Sequence, residues 1–158
     1  MSDRVAAWLR IHAPELRIIG GHASTATVDD AAAALGIEPA RVAKSLAVRA
    51  GERVLLLVTR GDARLDNRKF KDICGTRPRM LDPEETHAVT GHPVGGVCPF
   101  ALASALEILC DVSLRRFATV FPAAGSRTSS VEVAPERLAE IAGARWVDVC
   151  RLPEASGP

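Results

Sequence analysis

The uninterrupted apolar run Val54-Leu55-Leu56-Leu57-Val58 sets the strongest limit on what this chain can fold into. Its length and its branched and aliphatic residues fit a strand buried on both faces, not a half-exposed one. Such a strand needs a covering layer on each side, so the remaining sequence must supply packing elements for two faces.

The flanking patterns supply them. Val5, Trp8, Leu9 and His12 recur at helical spacing, which predicts an amphipathic helix over 3–12 with His12 at its end. Thr27-Val28-Asp29-Asp30 resembles a capping box with Asp in place of Glu, opening an alanine-rich helix that Gly36 ends. Asn67 caps a short helix with Phe70, Ile73 and Cys74 facing inward and Gly75 as its stop. Asp82-Pro83-Glu84-Glu85 starts another helix, which runs to Gly91. Strands are expected at 105–110, 116–121, 130–133 and 145–149, the last two flanking a helix that begins at Pro135, turns Leu138, Ile141 and Ala142 inward and ends at Gly143. This order predicts an α+β fold with a mixed, mostly antiparallel β-sheet surrounded by helices. Residues 1–151 read as a single domain, and 152–158 as a frayed tail.

Two features carry chemistry. The segment Thr90-Gly91-His92-Pro93-Val94-Gly95-Gly96-Val97-Cys98-Pro99-Phe100 places glycines and prolines together between two apolar stretches. Gly95 and Gly96 leave main-chain N–H groups unobstructed, while Pro93 and Pro99 stiffen the flanks, so backbone dipoles could hold an anion or a carbonyl oxygen there. An ordinary surface turn has the same composition. The second feature is Lys44 in Val42-Ala43-Lys44-Ser45-Leu46-Ala47-Val48. At period 2, Lys44 shares a face with Leu46 and Val48, and a cation on an apolar face is either a placed point charge or a stem that snorkels from a strand end.

Composition narrows the classes. A hydrophobic content of 47% with 25% charged residues is that of a globular protein, and no stretch is long enough to span a membrane as a helix. The start of the chain lacks a signal-peptide pattern, so a cytoplasmic location is expected. Six aromatics, four Phe and two Trp, argue against a base-stacking platform. Cys74, Cys98, Cys110 and Cys150 show no C-x-x-C spacing and read as thiols, with Cys74 in packing. Cys74, His87, His92 and Cys98 have no recognised ligand spacing, so neither a metal nor a cofactor is expected. Between Arg60 and Arg79, seven basic residues stand against three acids, a local patch in a chain of net charge +1. It suits transient nucleic-acid capture, and equally a solvated helix face.

Taken in order, Val42-Ala43-Lys44-Ser45-Leu46, Gly61-Asp62, Leu65-Asp66, the 90–100 segment and Ala124-Gly125-Ser126-Arg127 resemble the YbaK and prolyl-tRNA synthetase editing-domain family. The likeness covers about residues 25–149, and Lys44 with the Gly-x-x-x-Pro loop from Gly95 to Pro99 is its most distinctive part. Cys98 departs from the Ser common in relatives. The resemblance implies hydrolysis of mischarged aminoacyl-tRNA, by a free-standing protein acting in trans on a small amino acid such as Ala, Ser, Thr or Cys. It implies catalytic roles for Lys44, Gly95, Gly96, Val97, Cys98 and Pro99, and substrate contacts from Ser45, His92, Phe100, Gly125 and Ser126. Aminoacyl-tRNA is the implied partner, with an aminoacyl-tRNA synthetase as a second.

Because such an ester is already activated, fixing it, stabilising the oxyanion and placing a water suffice. Cys98 as a nucleophile is the competing route, and a small residue in a tight loop is the simpler account of it. His92 is either a substrate contact or a loop residue. On this reading Arg68, Lys69 and Lys71 dock tRNA. The alternatives are a non-catalytic RNA- or nucleotide-binding module of the same fold, and an esterase for small acyl esters.

Overall fold

The computed structural model describes residues 3–24 and 26–153. Its frame is a six-stranded sheet. Strand β2 (Val42–Ala50) runs antiparallel to β3 (Arg53–Arg60) and to the short β5 (Arg79–Met80), and parallel to β7 (Phe121–Pro122). On its other side β3 pairs in parallel with β6 (Glu107–Asp111), which pairs in parallel with β9 (Arg145–Val147). Two small antiparallel ribbons complete the strands: β1 (Ile18–Gly20) with β8 (Ser129–Val131), and β4 (Arg64–Leu65) with β10 (Cys150–Arg151). The fold is α+β, and across its mixed main sheet and the two ribbons four strand pairs are antiparallel and three parallel.

The 54–58 run lies inside β3 and is covered on both sides. Leu56 and Val58 join Ala43, Ala47, Ile108 and Cys110 in one core, which Val5 and Leu9 of α1 (Asp3–His12) and Leu138 of α5 (Pro135–Ala142) close. Leu55 and Leu57 join Val48, Leu109 and Val149 in the other, closed by Phe70 and Cys74 of α3 (Asn67–Cys74). A third, smaller cluster seats α2 (Val28–Leu35) on Val42 through Ala31 and Ala32.

The helix ends follow the capping signals. Thr27 Oγ1 accepts from the Asp30 N–H, and Gly36 closes α2 in the left-handed region. At the start of α4 (Pro83–Thr90), Asp82 and Glu85 form a reciprocal capping box, and Gly91 (φ +78°) ends the helix.

Several expectations require correction. Asp66, not Asn67, caps α3, because its carboxylate accepts from the Arg68 and Lys69 N–H groups. Ile73, expected to face inward, is 40% exposed: eight residues give α3 only enough inner face for Phe70 and Cys74. The strand expected at 116–121 starts late: Arg116 ends a 3-10 turn over Val112–Arg116 that the Asp111 side chain caps, 117–119 are irregular, and pairing begins where Val120 bridges Val133 and continues at Phe121–Pro122. The strand expected at 145–149 ends at Val147 as β9, and Cys150–Arg151 follow as β10 in a different sheet. Of the expected tail, 154–158 lie outside the described residues. No helix among the described residues is long and apolar enough to cross a membrane.

Candidate active site

A largely apolar cavity of about 330 Å³ opens against the β2 edge of the sheet. Its floor is β2 from Val42 to Ala47, together with Phe121, Ala123 and Ser130. The start of α2 (Ala26, Thr27, Val28, Ala31) and the glycine loop (Val94, Gly95, Val97) form the opposite walls, and Met80, Leu81 and Thr86 close one end. The floor extends beyond β2 because β7 adds in parallel beside Val42 and Ala43, and Ala123 then bridges to Ser130.

The glycine loop is locked to the 124–127 turn. Gly96 N–H donates to Pro93 O at 2.9 Å, Gly125 N–H donates to Gly96 O at 3.0 Å, and Arg127 Nε donates to Val94 O at 2.7 Å. A side chain at Gly96 would meet Ser126 N at 2.6 Å and the Gly125 carbonyl carbon at 2.8 Å, so the two backbones touch only because no Cβ intervenes. Gly95 adopts φ +89°, a conformation that favours glycine. With Gly96 N–H engaged and Pro99 lacking a donor, the Gly96 and Pro99 amide positions offer nothing to a substrate.

Lys44 sits on the face of β2 it shares with Leu46 and Val48, as period 2 predicts, and it borders the cavity. Its ammonium turns to the 61–64 turn, where Nζ donates to Ala63 O at 2.6 Å. Burial lowers its pKa below the ordinary 10.5, and Cys150 and Asp62 pull it partly back. Ser45 also lines the cavity, and its Oγ is buried without a hydrogen-bond partner among the described residues.

Cys98, His92 and Phe100 form a packed unit that does not line the cavity. All three are fully buried. His92 Nε2 lies 2.7 Å from Phe100 O, and since a carbonyl only accepts, Nε2 carries the proton. Cys98 Sγ is 3.6 Å from that same Nε2, so the basic lone pair of the ring points away from the thiol. Desolvation pushes the Cys98 thiol up to about 12 and lowers the pKa of His92. The arrangement is a neutral packed thiol, not a thiolate–imidazolium pair. Gly125 is buried in the 124–127 turn; Ser126 is part-exposed, and its Oγ shares a hydrogen bond with Ser129 Oγ at 2.6 Å.

The structure thus brings Lys44, Ser45, Gly95 and Val97 to one cavity and leaves Gly96, Cys98, Pro99, His92, Phe100, Gly125 and Ser126 as its supports. Arg68, Lys69 and Lys71 lie on α3, which packs on the other core. Arg68 and Lys71 are exposed, whereas Lys69 Nζ donates to Asp148 Oδ1 at 3.1 Å and Cys150 O at 2.9 Å. Sequence reasoning missed the α2 wall, Thr86 and Ser130. These residues carry no motif of their own, and only the pairing of β7 and β8 beyond β2 places Ser130 there.

The fold is that of an aminoacyl-tRNA editing domain: the chain belongs to the aminoacyl-tRNA editing domain family, whose model matches residues 22–141. It is 49% identical over 130 residues to the uncharacterized protein YwhH of Bacillus subtilis, an alignment covering 81% of this chain and 83% of that one. It is 33% identical over 112 residues to the proline–tRNA ligase of Geobacter sp. (strain M21), covering 68% of this chain but only 19% of the ligase. Among solved structures, a candidate trans-editing enzyme for prolyl tRNA synthetase superposes with a TM-score of 0.86 at 29% identity, covering 96% of this chain and 99% of that one.

Proposed function

We propose that this chain is a trans-acting deacylase that hydrolyses the ester of tRNA mischarged with a small amino acid such as Ala, Ser, Thr or Cys. The observation that carries the reading is the cavity itself. At about 330 Å³ it stands at the small end of ligand sites, and Ala26, Ala31, Ala43 and Ala47 are among the residues that line it. The likeness to a candidate trans-editing enzyme over nearly the full length of both chains supports action in trans, with a synthetase as a second partner.

In the proposed mechanism the Lys44 ammonium, braced by Ala63 O, supplies positive charge at the ribose and phosphate end of the substrate. Amides of the glycine loop other than Gly96 polarise the ester carbonyl or hold the attacking water. Water is the nucleophile, since the Cys98 thiol is packed away from the cavity. Arg68 and Lys71 contribute to tRNA docking through phosphate contacts, and the cytoplasm is the compartment that holds this substrate.

Single-turnover deacylation across a panel of tRNAs charged with Ala, Ser, Thr, Cys and Pro tests the reading. Rapid release of one or more small amino acids, with large ones spared, is expected. Failure to accelerate any of them while still binding tRNA would favour the non-catalytic module.

A further inference from the structure

Ser130 stands on the cavity floor, 2% exposed, and its Oγ lies 3.1 Å from His22 Nε2. The other ring nitrogen, His22 Nδ1, lies 2.8 Å from the carbonyl oxygen of Ala23. A carbonyl has no proton to give, so Nδ1 carries the hydrogen and, in the neutral ring, Nε2 is a bare acceptor. The Ser130 hydroxyl must then give its only proton to His22. What remains for the cavity is the oxygen's accepting capacity. His22 therefore fixes the polarity of Ser130, turning a group that could donate or accept into an acceptor.

Opposite polarity stands at Lys44, whose ammonium can only donate. Strands β2, β7 and β8 lie side by side, so the main chains at Lys44 and Ser130 are about two strand spacings apart, roughly 10 Å. An aminoacyl ester has a matching order of groups: a free α-ammonium bearing three donors, then the ester carbonyl, then the ribose and its phosphate. The carbonyl oxygen finds no partner in an acceptor-only hydroxyl, whereas the ammonium does.

Resting on the proposed deacylase activity, we propose that Ser130, with its proton held by His22, is the seat of the substrate's free α-amino group, so the site takes aminoacyl esters and rejects N-acylated ones. Ser130 is a positioning residue: it orients the ester toward the glycine loop and takes no part in bond making. An N-acyl group removes the charge and two of the three donors from the nitrogen and adds bulk against a floor that is already closed.

The test compares alanyl-tRNA with N-acetyl-alanyl-tRNA in single turnover, for wild type, Ser130→Ala and Ser130→Thr, with folding followed by thermal melting. Wild type is expected to prefer the free amine by roughly tenfold or more. Ser130→Ala should lower kcat/KM on the free amine by roughly ten- to a hundredfold, the loss expected for one hydrogen bond to a charged group, with the ratio of the two rates falling toward one. Ser130→Thr, which retains the hydroxyl, should recover much of the preference. Equal hydrolysis of both substrates by wild type, or equal losses on both in Ser130→Ala, overturns the assignment.

A binding measurement separates this failure from failure of the deacylase reading. Wild type should bind 3′-alanylamino-3′-deoxyadenosine, which cannot be hydrolysed as an ester, at least tenfold more tightly than its N-acetyl form. That preference without any turnover would sink the hydrolase and leave the amine seat standing. Equal binding of the two forms sinks the seat.

Discussion

Lys44 Nζ donates to the main-chain oxygen of Ala63 at 2.6 Å, tying the lysine that borders the cavity to the turn that follows β3. The bond holds a partly desolvated cation in one place on an otherwise apolar face. Lys44→Ala should therefore leave the fold intact and lower single-turnover deacylation by roughly 10²–10³, the usual effect of removing one pre-placed charge. A near-wild-type rate would remove Lys44 from the mechanism.

The same burial gives a pH signature. Since desolvation places the Lys44 pKa below 10.5, its charge is lost as pH rises through that lowered value, earlier than for an exposed lysine. Deacylation, corrected for spontaneous ester loss, should fall on the alkaline side before pH 10.5. In Lys44→Arg, whatever rate survives should lack this alkaline fall, because guanidinium stays charged. An identical alkaline limb in both proteins assigns the titration to another group.

Cys98→Ser should keep deacylation within several-fold of wild type. The thiol, pushed up to about 12, is protonated at neutral pH and shielded from alkylating agents. The substitution places a hydroxyl near the Phe100 carbonyl, which can accept its proton, so the loss of stability should be small. Mass spectrometry of a quenched reaction provides the decisive check, since an acyl adduct on Cys98 would replace water attack with covalent catalysis.

Gly96→Ala should be far more damaging than its one added methyl suggests. The new Cβ would meet main-chain atoms of Ser126 and Gly125, which cannot rotate aside as a side-chain tip can. Separation of the loop from the 124–127 turn should lower both the melting temperature and, by tenfold or more, the deacylation rate. An unchanged rate would mean that this close approach does not position the cavity wall.

The basic residues of α3 divide into two kinds. Arg68 and Lys71 are exposed, whereas Lys69 is held by Asp148 and the Cys150 carbonyl. Neutralising Arg68 and Lys71 should weaken tRNA binding and reduce the slope of log affinity against log salt by about 0.7–0.9 for each phosphate that is no longer neutralised. Adding Lys69→Gln should bring a loss of stability and little further change in slope. An unaltered slope in the double variant makes this surface a solvated face.

The elements governed by local rules were legible in the sequence. The helices at 3–12 and 135–142 and the box at Asp82 and Glu85 follow from spacing and capping chemistry alone. Lys44 falls on its expected face because strand alternation is also local. What could not be read is what distance in the chain hides. The Asp111 carboxylate accepts from the Ser113 and Val149 N–H groups, which sets a 3-10 turn over Val112–Arg116 and delays the strand expected to begin at Arg116. Ser130 meets His22 across 108 positions, and neither residue has a neighbour that announces the other.

The clasp between the glycine loop and the 124–127 turn also bears on how the molecule assembles. Arg127 and Val94 are 33 residues apart, and the bond between them needs the intervening chain, including the parallel pairing of β6 with β3, to be in place. Closing such loops costs entropy that local contacts do not repay, so this region forms with the whole fold and not before it. The cavity is consequently a property of the finished molecule: an excised 90–100 peptide would carry every residue of the motif and none of its geometry.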